Sequence, residues 1–161
     1  MNSAEEIVKY WLQSKGYFLQ SSINLPGRKE IDILAINKKG KKLHVEVSVS
    51  INSRNSLIPR KLAIQECNNK FKSISKYVEK ILGKKFKRIY VRGKIAQGHR
   101  DIRNEYIKEC KKIGVEVLKF EDIINEISAT PRSLNSIIDT VQLSKTFIAK
   151  KPKNINERQN S

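Results

Sequence analysis

Two segments in the first third of the chain alternate between apolar and polar positions, which is the pattern of β-strands. Glu30-Ile31-Asp32-Ile33-Leu34-Ala35 is followed, after a lysine–glycine turn, by Leu43-His44-Val45-Glu46-Val47-Ser48. The short turn predicts an antiparallel hairpin. A carboxylate within an otherwise apolar strand is costly to bury unless it is paired or binds a cation. The hairpin therefore predicts that Asp32 and Glu46 lie together.

The two-residue period also predicts which side chains share a face of the second strand. Leu43, Val45 and Val47 point one way, whereas His44, Glu46 and Ser48 point the other. Mg²⁺ prefers oxygen ligands and is often held by one or two carboxylates, so this pair suits a hydrated cation. Two other interpretations stay open: the acids are ordinary charges on the solvent face, and His44 is a packing residue and not a group that orients water.

Hydrophobic periodicity and breaker residues predict the other elements. They are a helix over about 4–15 after the N-cap Ser3, a strand over 17–23, a long helix from Pro59 to Gly83, a strand over 86–91, a helix over 99–113, a strand over 115–118 and a helix over 121–128. This order predicts an α/β domain over residues 1–130, with a mixed central sheet flanked by helices. Residues 131–161 are expected to form a basic C-terminal extension that is partly helical, over about 134–148, or flexible.

Charge narrows the class of partner. The chain has 33 Lys and Arg against 16 Asp and Glu, a formal charge of +17. Residues 131–161 contain six basic and two acidic side chains, so +13 of this remains on residues 1–130. Such an excess predicts a polyanionic partner, most simply DNA or RNA. An acidic membrane surface fits less well, because no basic run adjoins a long apolar segment.

Targeting and cysteine usage predict the compartment. The N-terminus has no basic region followed by an apolar run, and no stretch of about 18 apolar residues occurs, so we expect a cytoplasmic protein without a membrane segment. Cys67 and Cys110 lack metal-ligand spacing and are expected to be reduced core residues.

Three segments together resemble the PD-(D/E)XK nuclease superfamily, and most closely its archaeal-type Holliday-junction resolvases. The segment 4–17 looks like the first helix of that family, with Glu5 eleven residues before the pair Gly16-Tyr17. The strand around Asp32 is similar to the motif whose aspartate binds metal, and His44-Val45-Glu46-Val47-Ser48 is similar to the Glu-x-Lys motif. The resemblance covers about residues 4–120 and implies the restriction-endonuclease-like core, α-β-β-β-α-β.

The resemblance implies a Mg²⁺-dependent, structure-selective DNA endonuclease, with Mn²⁺ as a substitute metal. Asp32 and Glu46 would bind the metal, and Glu5 would assist through water or as a third ligand. Ser48 departs from the pattern, since the family carries lysine there and a neutral hydroxyl is a poor replacement for an ammonium group. A lysine of the following helix, Lys61, Lys70 or Lys72, would then supply the cation.

The expected site residues can now be stated. The catalytic set is Glu5, Asp32, Glu46, Ser48 and Lys61. The DNA-contacting set is Arg28, Lys29, Arg54, Arg60, Lys70, Lys72 and Arg100. For the helix lysines, a solvated face that at most contacts phosphate is the alternative interpretation. A homodimer is implied, because cutting a four-way junction needs two symmetric incisions. Two alternative functions remain: a non-cleaving nucleic-acid-binding relative, and a restriction or defence nuclease acting on linear duplex.

Overall fold

A computed structural model of the chain describes residues 3–49, 60–93 and 100–129, except for the side chains of residues 60–63 and 100–103. The helices are α1 (Ser3–Ser14), α2 (Arg60–Lys72), α3 (Ser75–Leu82), α4 (Arg100–Lys112) and α5 (Phe120–Ser128). The strands are β1 (Tyr17–Leu25), β2 (Lys29–Asn37), β3 (Lys42–Ser48), β4 (Lys87–Arg92) and β5 (Val115–Lys119). The predicted α/β class is confirmed.

The strands form one five-stranded mixed sheet in the order β1-β2-β3-β4-β5. Strands β1, β2 and β3 are antiparallel neighbours, as expected for successive strands joined by short turns. Strands β4 and β5 each follow a helical crossover and lie parallel to the strand before them in the sheet. The parallel part therefore begins at β3, and the helices that follow β3 and β4 provide the crossovers.

The predicted long helix after Pro59 is wrong as a single element. It is divided into α2 and α3 at Ser73 and Ile74. The hydroxyl of Ser73 donates to the carbonyl oxygen of Asn69, and that of Ser75 donates to the carbonyl oxygen of Lys72. Serine hydroxyls that bond back to main-chain carbonyls favour bending or ending a helix. The apolar period continues through the break, so the hydrophobic pattern alone did not reveal it.

The helices bury their apolar sides on the sheet in two described clusters. One cluster joins α2 and α4 to the parallel strands and contains Cys67, Phe71, Tyr90, Tyr106, Cys110, Val115 and Val117. The other joins α3 to β2 and contains Ile31, Leu34, Ile74, Val78 and Leu82. Helix α1 packs on β1, β2 and β3 and buries Val8, Trp11 and Leu12. Strand β3 is consequently covered along nearly its whole length.

Residues 1–125 form one compact unit, and a second unit begins at residue 126, within α5. The predicted extension over 131–161 and its helix over about 134–148 lie outside the described residues. Within the described part of the chain, every helix is too short or too polar to cross a bilayer.

Candidate metal centre

Asp32 and Glu46 lie opposite each other on neighbouring strands. Ile33 pairs with Val45 in the β2–β3 register, so the next step along the hairpin brings Asp32 level with Glu46. The side chain of Glu46 is only 2% exposed, and Asp32 is half-buried. The prediction that the hairpin unites the two acids is confirmed. Their interpretation as ordinary surface charge is wrong, because α2 covers this face of β3.

The backbone holds Asp32 in place. The amide of Val47 donates to Asp32 Oδ2 over 2.7 Å, so one carboxylate oxygen is fixed against β3. At this position, just beyond the last register pair of β2 and β3, the Val47 amide bonds to a side chain in place of a main-chain carbonyl of the neighbouring strand. A carboxylate that accepts a main-chain N–H is oriented and partly stabilised in its charged form.

Glu46 has two side-chain partners. His44 Nε2 lies 2.8 Å from Glu46 Oε1, and Lys70 Nζ lies 3.7 Å from Glu46 Oε2. His44 is fully buried and packs edge-on against the ring of Phe71 from α2. With the proton on Nε2, His44 donates to Glu46, and its Nδ1 atom has no hydrogen-bond partner among the described residues. His44 is therefore a buried, packed residue, and its hydrogen bond holds one oxygen of the Glu46 carboxylate.

Burial opposes charge on both acids. Burial raises the pKa of Glu46 to about 7, although the ammonium group of Lys70 acts in the other direction. Burial first, and then the negative charge of Glu46, raise the pKa of Asp32 to about 6. Burial and the nearby Arg88 guanidinium lower the pKa of His44 to about 4, so this histidine is neutral at pH 7. Perturbed carboxylates in close contact are typical of sites that bind a cation or a proton.

Glu5 lies on α1 near the same pair. Its pKa is raised, first by partial burial and then by the charges of Asp32 and Glu30. Among the residues that the structure describes, no three His, Cys, Asp or Glu side chains form a group that could hold a metal ion. The role of Glu5, through water or as a third ligand, stays a prediction.

The two carboxylates fit Mg²⁺ as part of a hydrated coordination shell. Mg²⁺ commonly takes one or two carboxylates and completes its octahedron with water and substrate phosphate oxygens. Asp32 and Glu46 supply two carboxylates whose burial is costly without a counter-charge. These residues would suit a hydrated magnesium ion and not a cage made from protein ligands alone.

Ser48 belongs to a second polar cluster, the α2–β4 network of Ser48, Glu66, Tyr90, Arg92 and Tyr106. Ser48 and Arg92 are register partners on β3 and β4, and Arg92 Nη1 donates to Ser48 Oγ over 3.1 Å. Arg92 Nη1 also donates to Glu66 Oε1 over 2.7 Å. Glu66 accepts two further bonds, from the phenols of Tyr90 at 2.8 Å and Tyr106 at 3.3 Å. A guanidinium group thus lies beside Ser48, at the position where the resemblance implies a lysine.

The predicted cations lie at different places. Lys70 is brought to Glu46, whereas Lys72 is exposed on the same helix. Arg28 lies exposed in the β1–β2 turn with a positive φ of 58°, and Lys29 donates to the Ser73 carbonyl oxygen. The side chains of Lys61, Arg60 and Arg100, which begin α2 and α4, lie outside the described residues, as does all of Arg54.

Sequence reasoning missed Glu66 and Arg92. No motif singles them out, since each looks like one more charge in a helix or strand. One signal was available: Arg92 is separated by one residue from Tyr90 in a strand, and this spacing puts both on one face. Their shared partner on α2, Glu66, could not be deduced from the sequence, because that requires the register between β3 and β4.

No family model matches the chain, and no curated protein matches it significantly.

Proposed function

We propose that the chain is a Mg²⁺-dependent, structure-selective DNA endonuclease that hydrolyses phosphodiester bonds in the manner of Holliday-junction resolvases. The observation that carries this proposal is the opposed pair of carboxylates, the half-buried Asp32 and the buried Glu46, with pKa values raised to about 6 and about 7. Two buried acids without enough counter-charge disfavour ionisation. A divalent cation would relieve that cost and compete with protons for the same oxygens.

The chemistry that Mg²⁺ would supply is polarisation of the phosphate and activation of the attacking water. Asp32 and Glu46 would hold the ion. The Val47 amide and the His44 ring keep their carboxylates oriented, so the ligands are positioned before the ion arrives. Glu5 would assist through water.

Lys70 is the residue that we assign to the role of the lysine missing at Ser48. Its ammonium group is 3.7 Å from Glu46 and its side chain is 41% exposed, so it can also reach a bound phosphate. Arg92 is the other cation nearby, but its charge is compensated by Glu66. The predicted use of Lys61 remains an alternative, and alanine variants at the three helix lysines separate the candidates.

The substrate is inferred from charge and from the family resemblance. A formal charge of +17 favours a polyanion, and the family resemblance favours branched DNA. The restriction-endonuclease-like core is part of the same proposal, since its expected order of elements, α-β-β-β-α-β, agrees with the described order up to β4 except that α2 and α3 divide the crossover.

The decisive experiment is cleavage of end-labelled junction, fork, hairpin and linear DNA with Mg²⁺, with Mn²⁺ and with EDTA. We expect metal-dependent nicking of branched DNA at symmetric positions. Cleavage limited to linear duplex would favour the restriction or defence nuclease. Cleavage that persists in EDTA would contradict the metal assignment.

A non-cleaving nucleic-acid-binding protein is the second candidate, and one observation favours it. Ser48 contacts Arg92, whose charge is already paired with Glu66, so the usual position of the lysine holds no free cation. This candidate requires salt-dependent DNA binding with a log–log slope of roughly −0.9 per phosphate contact, and no cleavage with any metal. A flat salt response would remove DNA as the partner of either candidate.

We also propose a homodimer, because two incisions across a junction require two sites. Phe18 on β1 and Ile36 on β2 are register partners that remain 65% and 40% exposed. They supply an exposed apolar surface that the sequence did not identify. Sedimentation of the wild type and of Phe18→Gln tests whether a dimer forms and whether it uses this face.

A further inference from the structure

Cys67 on α2 and Cys110 on α4 lie side by side in the core above β4 and β5. Both residues are fully buried, and their sulfurs are 2.7 Å apart without being bonded. The sulfur–sulfur bond of a disulfide is about 2.05 Å long, so the thiols are within roughly 0.65 Å of bonding distance. The two positions are 43 residues apart in the sequence, and the packing of α2 on α4 alone brings them together.

The contact between the two thiols also changes their pKa values. The hydrogen bond from the Cys67 thiol lowers the pKa of the Cys110 thiol, against the effect of burial. The same hydrogen bond, and then burial, raise the pKa of the Cys67 thiol. A thiolate is the reactive form of cysteine, so the lowered pKa favours Cys110 as the attacking sulfur.

A cavity of about 110 Å³ lies beside Cys67. Its lining includes the polar side chains of Lys72, Ser75 and Arg88, together with Cys67 itself. One water molecule occupies about 30 Å³ in the liquid, so a molecule the size of hydrogen peroxide fits in this space. The cavity brings a small polar oxidant next to the thiol pair, and its reaction requires a local opening of the packing that buries both sulfurs.

We propose that Cys67 and Cys110 form an oxidisable dithiol pair that hydrogen peroxide converts to an intramolecular disulfide between α2 and α4. Attack of one sulfur on peroxide breaks the O–O bond, gives a sulfenic acid and releases water. The second sulfur then displaces the hydroxyl group, which leaves as a second water. In total two thiols and one peroxide give one disulfide and two waters, with both sulfurs oxidised and both peroxide oxygens reduced.

This bond would act on the helix that carries the polar site residues. Cys67 directly follows Glu66 and lies three residues before Lys70. A covalent tie to α4 would hold α2 and thus both side chains against the sheet. The proposal does not depend on nuclease activity, because it concerns only the two thiols and their surroundings.

The test uses the full chain. The protein is reduced, treated with peroxide while folded and blocked with an alkylating reagent, and its intact mass is then measured. We expect a monomer that has lost two hydrogens, takes up no alkylating reagent and recovers both thiols with dithiothreitol. The oxidised protein should also unfold at a higher denaturant concentration than the reduced protein. Since the chain has only two cysteines, a disulfide within one chain has a single assignment.

Matched variants test the order of events. Cys67→Ser should accumulate a sulfenic acid at Cys110 that dimedone captures, whereas the wild type should give little adduct because Cys67 removes it. Three results would overturn the proposal: two alkylatable thiols after peroxide treatment of folded protein, sulfinic acids in place of a disulfide, or disulfides only between chains. If the serine variants do not fold, the intact masses of the wild type alone decide whether the disulfide forms within one chain.

Discussion

Two polar clusters lie on the same face of the sheet under the same helix, yet they differ in how their charges are balanced. In the α2–β4 network, Glu66 accepts from Arg92 at 2.7 Å, from Tyr90 at 2.8 Å and from Tyr106 at 3.3 Å. In the carboxylate pair, Asp32 and Glu46, the side-chain partners are one lysine, 3.7 Å from Glu46, and one neutral histidine, also at Glu46, whereas Asp32 accepts from the Val47 amide. Glu66 and Lys70 are four residues apart on α2, so the same face of the helix serves both clusters.

The difference separates a structural site from a candidate functional one. A buried acid with a guanidinium and two phenols has its charge and lone pairs satisfied, and such a network favours a single arrangement of the core. Two buried acids with a shared partial counter-charge are poorly satisfied as the chain stands. Such an arrangement is expected where a cation or a proton is bound.

The largest effect that separates the clusters is on cleavage. We expect Asp32→Asn and Glu46→Gln to reduce Mg²⁺-dependent DNA cleavage by about a hundredfold or more, since each removes a metal ligand. Metal-free DNA binding should be equal or tighter, because a negative charge is lost near the phosphates. Glu79→Gln, on the exposed face of α3, is the control and should leave cleavage unchanged. Normal cleavage by either site variant would remove the carboxylate pair from the mechanism.

The second effect concerns the shared lysine. Lys70→Ala should lower cleavage by roughly 10- to 100-fold, the size expected when one charge-stabilising group is lost. Its ammonium group lowers the pKa of both Asp32 and Glu46, so metal-dependent activity should also require a higher pH. Lys72→Ala is the matched control on the same helix. Equal losses in both variants would instead assign the lysines to general phosphate attraction.

The third effect tests the α2–β4 network. Glu66→Gln leaves the mostly buried Arg92 without a counter-charge. It should lower the free energy of unfolding by about 1 to 3 kcal/mol. This cost is smaller than that of breaking a fully buried ion pair, because Glu66 is 27% exposed. Glu116→Gln breaks the exposed pair with Lys87 and should cost less than about 1 kcal/mol. Urea denaturation measures both. Equal costs would mean that the network is no better than a surface ion pair.

Much of the fold was predictable because the local patterns are strong. The hairpin was marked by alternation, β4 by a short apolar run between Gly83 and Gly93, and β5 by a short run directly after Gly114. The break between α2 and α3 was not, since Ser73 and Ser75 act through hydroxyl–carbonyl bonds that leave the hydrophobic period unchanged. A propensity argument gives serine little weight within a long amphipathic helix.

The candidate site, like the fold, could be predicted only in part. Asp32 and Glu46 were accessible to sequence reasoning, because hairpin register follows from a short turn and a two-residue period. Lys70 could not be chosen over Lys61 or Lys72, since the choice depends on how α2 is rotated above β3. The contacts of Cys67 with Cys110 and of Ser48 with Arg92 depend on tertiary packing and on parallel register, and neither is encoded in a local pattern.

The smallest effect is a dependence of stability on pH, to which the carboxylate pair and His44 contribute with opposite signs. The lowered pKa of His44 makes the folded chain gain stability as pH rises from about 4 to 6.5. The pKa of Glu46 is about 7 in the folded chain and near 4.5 when unfolded, so the folded chain retains a proton that the unfolded chain has released. The contribution of Glu46 to the free energy of metal-free unfolding should therefore fall as pH rises from about 4.5 to 7 and then level off. Asp32 contributes in the same direction up to about pH 6.

Glu46→Gln removes this cost, and at pH 8 without metal it should be more stable than the wild type by about 1 to 2 kcal/mol. Below about pH 4.5 the two proteins should differ little. Mg²⁺ should stabilise the wild type at pH 8 and not the variant, because only the wild type retains both ligands. Urea titrations at pH 4, 6 and 8 with and without Mg²⁺ measure all three quantities. A variant less stable than the wild type at pH 8 would place Glu46 with Glu66, as an acid that holds the core together.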